Sequence, residues 1–224
     1  MRAGVAGLVS TLLNTGFQLD VVKFSADFHQ RMLAYYLARD IECIEHTSAS
    51  VLQNLLGEYG YPIQPVEVLR PALDAFYAAS QPHWHPEEDA VPLLQALQSH
   101  GYRLGIISNA SDADDVNTLI KQSGLRPYFE KVYISAEVGL RKPHTRIFRL
   151  ALDHFAVEPH QTVMVGDTLS ADIQGANQLG IRTVWITRRA DRTDNHENHS
   201  NIKPSATIST LIQLLDVLEE WQSK

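Results

Sequence analysis

The sequence predicts an α/β fold, a parallel sheet packed between helices, with a mostly helical domain in its N-terminal part. Three observations predict it. From Gly101 onward, short β-branched or apolar runs alternate with helical patterns, as repeated βαβ units require. Each of the three clearest runs ends on polar residues, at the edge where open parallel sheets bind ligands. Between Val21 and Ala79 the apolar residues follow helical spacing with almost no strand-like alternation.

Taken in order, Gly4 to Val9 (GVAGLV) is a short apolar run that can serve as a first central strand. Val21 to Tyr59 and Val66 to Ala79 are expected to be helical, separated by the Gly57 to Pro65 break. Within them, Phe24, Phe28, Met32, Tyr35, Tyr36 and Leu37 form a stripe best read as core packing. Glu87 to His100 reads as a helix, with Ala90, Leu93, Leu94 and Leu97 on one face. Strands are expected at Arg103 to Ile107, Thr162 to Val165 and Thr183 to Ile186, with crossover helices at Arg146 to Phe155 and at Ala171 to Leu179, the latter closed by Gly180. Arg188 to Ser200 is polar without apolar periodicity and reads as a mobile loop, and Ile208 to Trp221 reads as a closing helix.

Composition narrows the function classes. At 224 residues the chain can hold one sizeable domain or a core domain with a smaller insert. It is 44% hydrophobic and 20% charged, which argues against disorder. The net charge of −7, with no Lys/Arg cluster, leaves a nucleic-acid backbone no basic stripe to bind. No apolar stretch approaches the roughly 20 residues of a membrane-spanning helix, and the lone Cys43 excludes an internal disulfide. A cytoplasmic location is the default expectation.

The chemistry gathers at strand ends. Gly166-Asp167-Thr168-Leu169-Ser170-Ala171-Asp172 sets two carboxylates just beyond a strand, a donor set suited to a hard cation such as Mg²⁺. Ser108 and Asn109 follow another strand and offer a hydroxyl and an amide to phosphoryl oxygens. Lys142 supplies a cation just before Pro143 and a helix start. His83-Trp84-His85 and the group Asp194, His196, Glu197 and His199 lack metal spacing on a rigid element and are read as linker and solvated loop.

In this order, Ser108, Lys142 and the Asp167/Asp172 pair resemble the second, third and fourth motifs of the haloacid dehalogenase-like hydrolases, a likeness covering roughly residues 3 to 222. The resemblance implies a Rossmann-like core of residues 1–15 and 83–224 and a helical cap of residues 16–82, inserted after the first strand. It also implies substrate binding by Ser108, Asn109 and Lys142, catalytic roles for Lys142 and Asp167, and Mg²⁺ held by Asp167 and Asp172. The family's first motif, Asp-x-Asp-Gly-Thr-Leu, aligns with Gly7-Leu8-Val9-Ser10-Thr11-Leu12, which puts Gly7 at the nucleophile and Val9 at the acid/base. Glycine can neither attack nor ligate, a loss on the order of 10⁴ to 10⁶ in turnover for a covalent mechanism. The expectation is therefore a phosphatase-type site for a small phosphorylated metabolite, impaired at its nucleophile. The alternatives are a phosphate-binding pseudoenzyme, slow hydrolysis by a Mg²⁺-bound water, an altered N-terminal sequence, and a dehalogenase.

Overall fold

The computed structural model describes residues 1–190 and 201–223 and divides into two units. The first comprises Met1–His85 and Ala110–Ser123, the second Pro86–Asn109 and Gly124–Lys224. Most of the expected polar loop, and all of Asp194, His196, Glu197 and His199, lie outside the described residues.

The first unit is built from α1 (Arg2–Asn14), α2 (Val21–Glu42), α3 (Ser48–Glu58), α4 (Val66–Ala78) and α6 (Ala113–Gln122). Side-chain caps set several starts: Asp20 accepts from Lys23 N at 2.9 Å, Thr47 from Ser50 N at 3.1 Å and Asp112 from Asp115 N at 2.9 Å. The core gathers Phe24, Phe28 and Met32 of α2, Leu52, Leu55 and Leu56 of α3, and Leu69, Leu73 and Phe76 of α4. The Phe28 and Phe76 rings meet edge to face at 5.6 Å. The expected stripe on α2 packs through Tyr35 and against Tyr36, but Leu37 faces solvent.

The strand expected at Gly4 to Val9 is instead part of α1. Val5, Leu8, Val9 and Leu12 are buried and recur at three- and four-residue steps, which is helical period, and they close the core against α4. The glycines are where the two helices approach. A Cβ on Gly4 would stand 2.4 Å from the carbonyl oxygen of Phe76, and one on Gly7 would stand 2.9 Å from that of Ala75. Residues 1–15 thus belong to the helical unit, and no strand precedes it among the described residues.

The second unit carries α5 (Ala90–Ser99), β1 (Gly105–Ser108), β2 (Lys131–Ile134), α7 (Ser135–Val138), α8 (Thr145–Phe155), β3 (Val163–Gly166), α9 (Gln174–Asn177), β4 (Arg182–Ile186), β5 (Ala206–Ile208) and α10 (Leu214–Gln222). All described strand pairs are parallel. β1 pairs with β2, Ile106 opposite Val132, and β3, β4 and β5 pair in that order, with Val165 opposite Val184 and Ile186 opposite Ile208. One apolar layer comprises Leu93 and Leu97 of α5, Val184 and Ile186 of β4, Ile208 of β5, and Leu214 and Leu218 of α10. Another sets Ile147, Phe148 and Leu152 of α8 with Ala176 and Ile181 against the partly buried Ile107, Tyr133 and Met164 of β1, β2 and β3. β3 is thus packed on both faces, Val163 and Val165 against the first layer and Met164 against the second, as parallel strands ordinarily are.

Two expectations change in detail. The helix expected from Ala171 begins earlier, as a π-helical turn at Leu169–Ile173 that runs into the single turn of α9. Ile208, expected to open the last helix, ends β5 instead, and α10 starts at Leu214.

Candidate active site

Ser108 ends β1, and Asp167 directly follows β3, so both sit at C-terminal strand ends of the second unit. Lys142 joins β1 to the turn that follows β3. Its Nζ donates to the carbonyl of Ile107 in β1 at 2.6 Å and pairs with Asp172 Oδ1 at 2.7 Å. The two side chains are 10% and 6% exposed, so the pair is held out of bulk water and each charge depends on the other.

The backbone around this pair is fastened by side chains. Asn109 clamps the main chain of Lys142 with both ends of its amide, Nδ2 donating to Lys142 O at 2.9 Å and Oδ1 accepting from Lys142 N at 2.8 Å. Asp172 Oδ2 accepts from Thr168 N at 3.0 Å, while Asp172 N donates to Thr168 O at 2.8 Å, which folds the π-turn around its own carboxylate. Asp167 Oδ1 accepts from the Thr168 hydroxyl at 3.3 Å, and its carbonyl accepts from Trp185 Nε1 at 3.2 Å. π-helical turns are recurrent at functional sites because the widened turn re-aims a side chain; here the re-aimed side chain is Asp172.

Sequence reasoning named Ser108, Asn109, Lys142, Asp167 and Asp172; contacts join Asn109, Lys142 and Asp172, while Ser108 and Asp167 stand at the C-terminal ends of β1 and β3, strands of two separate sheets. Gly7 and Val9, expected there as nucleophile and acid/base positions, lie in α1 of the other unit, on a helix rather than at a strand end. Sequence reasoning did not single out Thr168 and Gly166. A Cβ on Gly166 would fall 2.3 Å from the Asp172 carboxyl, so only glycine leaves the carboxylate room to turn back toward Lys142. Gly175 plays the same part beneath Pro143, whose carbonyl would be 2.7 Å from a Cβ there. The Gly166-Asp167 dipeptide at the strand end was the available signal. A cavity beside Asp167 is lined by Glu87, Val165, Ile186, Arg188 and Leu211. The Arg188 guanidinium is paired there with Glu87 and Asp89.

Mg²⁺ tolerates a sparse protein donor set, keeping waters and taking one or two carboxylates. Among the described residues no group of three or more His, Cys, Asp and Glu stands together as a metal cage. Asp167 suits such a one-carboxylate site. Asp172 already gives one oxygen to Lys142 and the other to Thr168 N, so its first task is to hold the lysine.

The family model described as haloacid dehalogenase-like hydrolase matches residues 11–186. The chain belongs to that family. A glyceraldehyde 3-phosphate phosphatase from Methanopyrus kandleri is 32% identical over 166 residues, covering 74% of this chain and 70% of that protein. A phosphoserine phosphatase from Thermus thermophilus is 38% identical over 104 residues, and there the match spans only 41% of that protein and 46% of this chain. Among solved structures, a 2-haloacid dehalogenase from Pseudomonas syringae superposes over 97% of this chain and 92% of its own, with a TM-score of 0.64 at 24% identity, a likeness of fold. No described helix is long and apolar enough to cross a membrane.

Proposed function

We propose that the strand edge carrying Ser108, Lys142 and Asp167 is a phosphatase-type site that binds the phosphoryl group of a small phosphorylated metabolite. The observation that carries this reading is the Lys142 ammonium, fixed between β1 and Asp172 at the end of the sheet. A dianionic phosphoryl group would find there the Ser108 hydroxyl as a donor and the lysine as a counter-charge, the electrostatic stabilisation that phosphoryl transfer relies on. Asn109 and Asp172 are positioning residues, one locking the lysine backbone and the other its ammonium. Asp167, joined by Asp172 where the lysine shifts, would hold Mg²⁺; when bound, the ion neutralises charge on the phosphoryl oxygens. The first unit would serve as the substrate-selecting cap. Curated relatives that are phosphatases support this reading over a dehalogenase.

A second reading, binding without turnover, is favoured by the placement of Gly7 in α1 and by the commitment of Asp172 to Lys142. The two separate in one experiment. Orthophosphate affinity is measured by titration calorimetry, and aryl phosphate hydrolysis is followed with and without Mg²⁺, for this chain, Lys142→Met and Asp167→Asn. The phosphatase-type reading expects both signals, with affinity down at least about tenfold in Lys142→Met, the scale of one lost charge-assisted hydrogen bond. Phosphate binding without hydrolysis supports the second reading. Absence of both in a folded protein defeats the site itself.

A further inference from the structure

We infer that the solvent face of α2 is a self-association surface, on which a second copy of the chain docks its own α2 antiparallel about a two-fold axis. α2 runs 22 residues without a proline or glycine, about 33 Å at 1.5 Å per residue. One face packs Phe24, Phe28, Met32 and Tyr35 into the core of the first unit. The opposite face of such a helix is ordinarily polar. Here it carries Val22, Ala26, Gln30, Leu33, Leu37 and Ile41, which recur at three- and four-residue steps and are all exposed. Val22 is 81%, Leu37 78% and Ile41 84% exposed. Single exposed apolar residues are ordinary; an aligned row of them marks an interaction surface.

Charge is drawn away from this face. Lys23 stands beside it at the N-terminal end of the helix. Asp27 accepts from the Tyr59 hydroxyl at 2.7 Å, Arg31 Nη2 donates to Glu58 at 2.6 Å, and Glu42 lies 4.0 Å from His46 Nε2, so all three are turned toward α3 and the residues flanking it. A charged partner would find little complement along the row, and an apolar one would.

The spacing selects a second copy. From Val22 to Ile41 the steps are four, four, three, four and four, the same read in either direction. An antiparallel α2 on a two-fold axis level with the Arg31–Met32 bond therefore sets Val22 opposite Ile41, Ala26 opposite Leu37 and Gln30 opposite Leu33. Each contact is then made twice, as an isologous interface requires. The two Gln30 amides fall near the axis, where each can donate to and accept from the other, a polar pair of the kind that fixes register in a helix seam. The area is sufficient. With the exposed Ala34 and Ala38 at its edge, the row offers on the order of 500 Å² of apolar surface per copy, in the upper range for one patch on a monomer. Two copies would bury about 1,000 Å², where specific interfaces begin.

The test is the concentration dependence of mass for the full chain, by sedimentation equilibrium. The expected result is a reversible monomer–dimer equilibrium in the micromolar range. Ala26→Glu and Leu37→Lys should each weaken it at least about tenfold, because each places two unpaired charges in the seam. Both positions are exposed in the single chain, so the helical circular dichroism of the variants should be unchanged. The double variant should recover the dimer, since residue 26 of one copy meets residue 37 of the other and the new charges pair across the axis. A single-protomer mass at every concentration overturns the proposal, as does a dimer that both single variants leave intact. Loss of the dimer in the single variants without recovery in the double overturns the antiparallel pairing. Binding of a monomer to phosphatidylcholine vesicles that Leu37→Lys abolishes would assign the face to a lipid surface instead.

Discussion

Replacing Gly7 by aspartate distinguishes two readings of the same six residues. If Gly4 to Val9 were a strand ending at the site, the new carboxylate would stand among Ser108, Lys142 and Asp167 and could restore Mg²⁺-dependent hydrolysis. In α1 it meets something else: its Cβ would be 2.9 Å from the carbonyl oxygen of Ala75, a backbone atom of a packed helix that cannot step aside cheaply. Forcing side-chain atoms into a filled contact costs about 1–3 kcal/mol, and aspartate recovers little of this in helix propensity over glycine. Its charge also faces a carbonyl. A net loss of about 1–2 kcal/mol lowers the midpoint of a protein this size by roughly 2–8 °C. Gly7→Ala should be nearly neutral, because alanine regains about 0.8–1 kcal/mol of propensity, whereas Gly4→Ala should cost about 2 kcal/mol because its Cβ would lie 2.4 Å from Phe76 O. Thermal unfolding followed by circular dichroism, with aryl phosphate hydrolysis on the same samples, measures all three. An unchanged midpoint in Gly7→Asp together with new Mg²⁺-dependent turnover would refute the helix-packing argument.

Lys142→Met leaves the Asp172 carboxylate buried without its counter-ion and should destabilise by about 3–5 kcal/mol; adding Asp172→Asn should return part of it, and a thermal double-mutant cycle showing additivity would count against the coupling. Gly166→Ala should push the Asp172 carboxyl off Thr168 N and Lys142, reducing orthophosphate affinity by at least about tenfold, so unaltered binding would contradict the geometry. The Arg103 guanidinium hydrogen-bonded to Glu130 holds that carboxyl below its ordinary range. The resulting stability is present above the unfolded-state pKa and is lost as pH falls through the lower folded one. The gap in unfolding midpoint between this chain and Glu130→Gln should therefore be largest near neutrality and shrink toward pH 3; a gap independent of pH would exclude the pair as its source.

Much of the second unit was legible because its signals are local. β-branched runs ending on polar residues marked β1, β3 and β4; Ser108 and the Asp167/Asp172 pair were named from the residues that follow such runs, and Lys142 from its place before Pro143 and a helix start. β2 (KVYI), no shorter than β1 or β3, and the three-residue β5 (ATI) went unread in the sequence. The error at Gly4 to Val9 came from reading a six-residue apolar run by its composition. Extending the window to Leu12 reveals steps of three and four, and the two glycines in the run are contact points for α4. What no one-dimensional pattern carries is the division of labour within the site. That Asn109 holds backbone and that Asp172 answers to Lys142 follow from which strand ends lie side by side.

The Lys142 ammonium has three hydrogens, and the Ile107 carbonyl and the Asp172 carboxylate take two of them. One remains for an arriving oxygen. A cation with a single proton to offer senses that negative charge has come, but gains nothing from the anion's symmetry or from a second oxygen, unlike a guanidinium fork. In the phosphate-binding role proposed for it, this lysine would therefore work as a charge detector with little power to tell one phosphate ester from another. Discrimination among such molecules has to be made by contacts with the part of the molecule that is not phosphate.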